Sequence, residues 1–140
     1  MYHWEENLET GYVEIDDQHK EWIAKLNHIL LGIEEGRGKD EIFKTMEFLI
    51  HYSIKHFSAE EKLMKKYHYS DYSRHKCIHE EFKITIRNFT RQLIMDGPND
   101  RLFQTILIAI GDWFINHIRG DDFRMAAYVK TKNQIINTVI

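Results

Sequence analysis

Residues 51–64, HYSIKHFSAEEKLM, set His56 and Glu60 four positions apart on a stretch whose leucines and methionines share the same helical face. Positions four apart in a helix lie one above the other, so an imidazole nitrogen and a carboxylate oxygen are presented to one point. Burying either without a partner is costly, and the rest of the chain must therefore supply partners. HKCIH at 75–79 repeats the spacing with His75 and His79, WFINHIRGDD at 113–122 places Asp122 five residues after His117, and DDQH at 16–19 contributes His19. Five histidines and two carboxylates thus stand where an apolar seam would otherwise carry leucines. Mutual hydrogen bonding would satisfy some of these atoms, whereas metal would satisfy all of them. Seven nitrogen and oxygen donors without a thiolate exceed one tetrahedral zinc and suit a pair of six-coordinate first-row ions bridged by carboxylates. Glu60 belongs to this set ahead of Glu61, and Asp122 ahead of Asp121, because Glu61 and Asp121 rotate off the seam or lie at a helix end.

Holding seven side chains in one cross-section requires several long amphipathic elements. From Asp17 to Glu35, with a cap expected at Asp16 and Asp17, one stripe carries Ile15, His19, Trp22, Leu26, Ile29, Leu30 and Ile33. Glycines break the pattern at EEGRG. Lys39 to Tyr67 places Ile42, Met46, Leu49, Ser53, His56, Glu60 and Leu63 at alternating spacings of four and three. Tyr72 to Met95 does the same with His75, His79, Phe82, Ile86, Phe89 and Leu93, and ends at a DGPND turn. Asp100 to Gly120 carries Phe103, Ile106, Ile110, Trp113 and His117. Each stripe needs neighbours and short connections force adjacent helices antiparallel, so the pattern predicts an all-α, antiparallel up-down-up-down four-helix bundle. The first 14 residues have aromatics without a period and are expected to lie across the bundle as an arm; the tail from Asp121 is expected to form a short fifth helix. Gly111, inside the fourth segment, marks a close helix contact.

At 140 residues the chain is read as one domain with a sizeable core. A net charge of −3 with acids and bases interspersed gives no basic stripe for nucleic acid. The start, MYHWEENLET, lacks a basic and an apolar region, and no stretch is apolar enough for a membrane span. A cytoplasmic protein that is not integral to a membrane is the expectation. Cys77 is the single cysteine, expected as a buried or half-buried helix residue without a function.

Taken in order, DDQH, HYSIKHFSAEEKLM, HKCIH and WFINHIRGDD resemble the hemerythrin family, specifically its single-domain bacterial members, over essentially the whole of residues 1–140. The resemblance implies a hemerythrin-like diiron domain: a four-helix bundle around two iron ions, Fe2+ or Fe3+, joined by a bridging oxide or hydroxide, which binds dioxygen reversibly. It implies that His75, His79 and His117 ligate one iron, that His19 and His56 ligate the other, which keeps an open position, and that Glu60 and Asp122 bridge both. The residues alone do not divide the seven between two ions. A carrier or store is implied in place of an enzyme, with dioxygen as its partner and an oxygen-using protein as recipient. No glutamate stands three residues before a histidine, so the ExxH pairing of diiron oxidases is absent. The alternatives for such a centre are a diiron enzyme acting on peroxide or nitric oxide, and oxygen or iron sensing or iron handling.

An open iron needs an apolar, closed surround, because water or anions entering there promote oxidation. Trp22, Phe57, Trp113, Phe114 and Ile118 lie within four residues of the seven and are the candidates for an oxygen pocket. The family usually has leucine three residues after its first ligand histidine, where this chain has Trp22. His3, His28, His51 and His68 are expected to be structural or solvent-exposed.

Overall fold

The four expected seams form α1 (Val13–Glu34), α2 (Gly38–Lys66), α3 (Tyr72–Asp96) and α4 (Asp100–His117). The computed structural model describes residues 2–97 and 99–139, with the side chains of residues 38–42 and 134–139 outside that description. Pro98 of the expected turn and the side chain of Ile42 therefore lie outside the described residues. Each helix packs on its sequence neighbours and α1 also packs on α4, which closes an antiparallel up-down-up-down ring. Among the described residues, no helix is long and apolar enough to cross a membrane.

The connections are tight because left-handed residues end the helices. Gly36 (φ 80°) follows α1, its N–H donating to Ile33 O at 3.0 Å. His68 (φ 53°) plays the same part after α2, where Tyr69 N donates to Met64 O at 2.9 Å. Asn99 caps α4 by accepting from Leu102 N at 3.0 Å.

Three local expectations are corrected. α1 begins at Val13, four residues before the expected start, so Asp16 is no cap. Its carboxylate instead reaches back to the preceding loop and accepts from Thr10 N (2.9 Å), Thr10 Oγ1 (2.7 Å) and Gly11 N (3.0 Å). Gly111 makes its close contact with the arm and not with a helix: a Cβ there would stand 2.5 Å from the ring of Tyr2, whose hydroxyl donates to Asp112 Oδ1 at 2.9 Å. Cys77 is exposed, because two residues after the buried His75 is the far side of α3.

α4 does not end in a loop. It runs through a π-helical turn, Ile118–Asp122, straight into α5, Phe123–Val139, which is the expected fifth helix at a length of 17 residues. Two apolar clusters fill the interior. The larger includes Trp22, Leu26, Leu49, Phe57, Phe82, Phe103 and Phe114. The smaller joins Ile15, Leu63, Met64, Tyr67, Tyr69, Met125 and Val129 where α5 covers the bundle end. Ile15 precedes His19 by one turn, Leu63 follows Glu60 and Met125 follows Asp122, so the polar layer lies between the two clusters.

Candidate metal centre

All seven expected residues converge. His19, Glu60, His75, His79 and Asp122 have no exposed surface, while His56 and His117 have at most 3%. α1 supplies His19, α2 supplies His56 and Glu60, α3 supplies His75 and His79, and α4 supplies His117. Asp122 closes the π turn. In an α-helix a residue five positions on has turned well past its predecessor; a π turn closes its hydrogen-bonded ring at i→i+5 and brings Asp122 back above His117.

Every histidine points Nε2 inward. Glu60 Oε1 lies 2.9 Å from His56 Nε2 and 3.5 Å from His19 Nε2, whereas Oε2 lies 3.0 Å from His79 Nε2 and 3.3 Å from His75 Nε2. Asp122 divides the same way: Oδ2 is 3.0 Å from His19 Nε2, and Oδ1 is 3.2 Å from both His75 and His117 Nε2. The donor atoms form two groups, each spanning no more than 4.8 Å, that share Glu60 and Asp122. One group adds His75, His79 and His117; the other adds His19 and His56.

Protein atoms alone do not satisfy this layer. Both oxygens of Glu60, both oxygens of Asp122 and both ring nitrogens of His75 are buried without a hydrogen-bond partner. Buried polar groups are almost always paired. The nitrogen–oxygen separations near 3.0 Å match the edge of an octahedron, since metal bonds of about 2.1 Å at right angles set their ligand atoms about 3.0 Å apart. The donor set and its orphaned atoms therefore fit cation binding, and imidazole with carboxylate suits iron.

The outward nitrogens are treated differently. His56 Nδ1 donates to Gln18 Oε1 at 2.7 Å, His79 Nδ1 to Glu61 Oε2 at 3.0 Å, and His117 Nδ1 to Asp121 Oδ2 at 3.0 Å. His19 and His75 Nδ1 have no partner among the described residues. The hydrogen bond from His117 holds the Asp121 carboxyl well below the usual carboxylate range. Arg74 (3.1 Å) and Arg124 donate to its other oxygen. Glu61 and Asp121, set aside in the sequence as polar neighbours, thus grip the rings whose inner nitrogens face Glu60 and Asp122. The acidic doublets at 60–61 and 121–122 are the signal: one member faces in and the other meets a histidine from behind.

Four of the five pocket candidates lie on or behind the imidazoles. Phe114 stands edge-on to His19 and His56, with ring centroids 5.4 and 5.9 Å away, and Trp22 stacks on Phe114 at 3.9 Å. Phe57 stacks on His79 at 3.9 Å, and Trp113, which is only partly buried, stacks on His117 at 4.7 Å. Ile118 is fully buried in the π turn. His28, His51, His68 and His3 are exposed and away from the centre.

Without a cation the layer neutralises itself with protons. Burial opposes charge on His19 and His75, but the carboxylates of Asp122 and Glu60 beside them outweigh it and raise each to about 9 from 6.5. Burial also opposes an ionised Glu60, yet the electrostatic interaction with His56 and the neighbouring imidazoles of His117 and His19 hold it well below its usual range. Folded metal-free protein consequently binds more protons than unfolded chain between pH 6.5 and about 9. The associated stability is fully present below 6.5 and is lost as pH rises through 9. Urea unfolding of metal-free protein should show this as a midpoint that falls as pH rises across that window. A midpoint that is flat or rising over that window would contradict it.

A family model described as Hemerythrin HHE cation binding domain matches residues 10–129, a span that holds all seven residues and Gln18, Glu61 and Asp121. The chain is similar to a bacteriohemerythrin of Pseudomonas aeruginosa, 33% identical over 126 residues that make up 90% of this chain and 78% of that protein. It is similar also to a bacteriohemerythrin of Stenotrophomonas maltophilia, 28% identical over 127 residues, 91% of this chain and 80% of the relative. A myohemerythrin of Theromyzon tessulatum is 28% identical over 123 residues, 88% of this chain and 89% of the relative.

Proposed function

We propose, from the premise that this chain belongs to the hemerythrin family, that it binds dioxygen reversibly, as a carrier or store, at a carboxylate-bridged diiron centre within a single diiron domain. The observation that carries this reading is the division of Glu60 and Asp122, each of which turns one oxygen to the three-histidine group and the other to the two-histidine group. His75, His79 and His117 with the two carboxylates would give one ion five protein donors; His19 and His56 with the same carboxylates would give the other four. The less crowded side is where a small ligand fits. Two ferrous ions with a bridging oxide or hydroxide would supply the electrons that dioxygen accepts on binding and returns on release.

The chain's own task is to hold that site dry and fixed. Phe114, backed by Trp22, walls the His19 and His56 side with apolar ring surface, which excludes the water and anions that would drive lasting oxidation. Trp22 closes the back of this wall by stacking on Phe114 at 3.9 Å. Gln18, Glu61 and Asp121 fix the tautomer of their histidines by accepting from Nδ1, so Nε2 is free to donate its lone pair inward.

The test is gas cycling. Purified protein should contain two irons per chain; reduced anaerobically, it should develop a visible absorption band on exposure to oxygen and lose it under vacuum, over repeated cycles without consuming reductant. Lasting oxidation after every exposure, or sustained turnover of peroxide or nitric oxide with an electron donor, would replace the carrier with an enzyme. One tightly held zinc and no iron would overturn the diiron reading.

A further inference from the structure

The outward hydrogen bonds, made by three of the five imidazoles, separate the two halves of the centre by charge. Both anionic acceptors, Glu61 on His79 and Asp121 on His117, lie on the three-histidine side. The two-histidine side has only the neutral amide of Gln18 on His56. A ring N–H that donates to a carboxylate makes the opposite nitrogen a stronger donor to metal, and an amide oxygen, a dipole without net charge, does so less. The two carboxylates are unequal as well. Asp121 shares its charge with Arg74 and Arg124, which are about half exposed. Glu61 has no ion-pair partner besides His79 among the described residues, so its full charge acts on that ring.

We infer that Glu61, supported by Asp121, is a positioning residue that widens the difference which five donors against four already set between the two metal positions: the three-histidine position holds its ion more tightly, and the position backed by Gln18 gives up its ion first. This rests on the two-ion reading above. It adds an order of loading and loss, and it places the weaker hold where a ligand would enter.

The probe is cobalt(II), loaded anaerobically into metal-free protein and challenged with excess chelator while its visible bands are followed. Release should be biphasic, one ion in each phase. Glu61→Gln should accelerate the slow phase by about 10- to 100-fold and leave the fast phase within about two-fold. Asp121→Asn should do the same more weakly. Gln18→Glu should slow the fast phase alone, a gain that a merely structural role does not predict. In ferrous protein, Glu61→Gln should shift one of two Mössbauer quadrupole doublets and spare the other. The inference is overturned if Glu61→Gln changes both phases equally or neither, or if Gln18→Glu leaves the fast phase where it was. Failure to take up two cobalt ions would overturn the two-ion reading along with it, whereas biphasic release in protein that fails gas cycling would overturn only the dioxygen reading.

Discussion

Replacing Glu60 by alanine should empty both metal positions, not one. Its two oxygens face opposite groups, Oε1 toward His56 at 2.9 Å and Oε2 toward His79 at 3.0 Å, so a single truncation removes a donor from each. The loss at each position should exceed the about 10- to 100-fold that removing an outer hydrogen-bond partner costs. Glu61 cannot step in, because its carboxylate is held behind the ring of His79. On the proposed two-iron centre, iron content after desalting should therefore fall to well under one per chain, while far-ultraviolet circular dichroism stays helical. Retention of one full equivalent would show that Glu60 serves one ion only and would break the bridging scheme.

Phe114→Ala should damage stability and dryness together. The ring is 1% exposed and lies between Trp22 and the imidazoles of His19 and His56. Truncating a buried phenylalanine costs about 3–5 kcal/mol, which should lower the melting temperature by roughly 10 °C or more. The space left is bordered by the imidazoles of His19 and His56 and by the π face of Trp22, so it is not wholly apolar. Water enters cavities that offer it hydrogen bonds. Oxidation of the reduced centre in air should then be faster, on the order of ten-fold or more, with Phe114→Leu recovering much of both losses. An unchanged oxidation rate in a destabilised Phe114→Ala protein would show that this ring packs the core without guarding the metal.

The helices and the seven inward residues were legible because both obey the 3.6-residue period. A histidine in place of a seam leucine is visible to anyone who follows the stripe, and burial of His19, His56, His75, His79 and His117 follows from it. Asp122 was legible only as an anomaly, five residues from His117 where an α-helix would want three or four; the π turn is what makes that spacing work. Glu61 and Asp121 escaped because periodicity assigns a face to a side chain and says nothing of the far nitrogen of a ring on another helix. Asp16 misled for a related reason. Caps are read locally, and its partners Thr10 and Gly11 sit in a segment without a period. The exposure of Cys77, by contrast, was available from phase alone, two positions off a buried histidine.

The π turn also sets where the gene can change length. Each residue of an α-helix is about 100° of rotation, and the i→i+5 rings of the π turn hold one residue more than α geometry. Losing one codon between His117 and Asp122 would therefore close the run as plain α-helix and leave the face of α5 where it is. Gaining one codon just past the turn, at Phe123 or Arg124, has no such outlet and would rotate the rest of α5 by that angle. Met125, Ala126 and Val129, now buried, would swing away from Ile15, Leu63 and Met64. Three-nucleotide insertions should accumulate in the connections at 35–37 and 67–71 and be purged from α5 at 123–129.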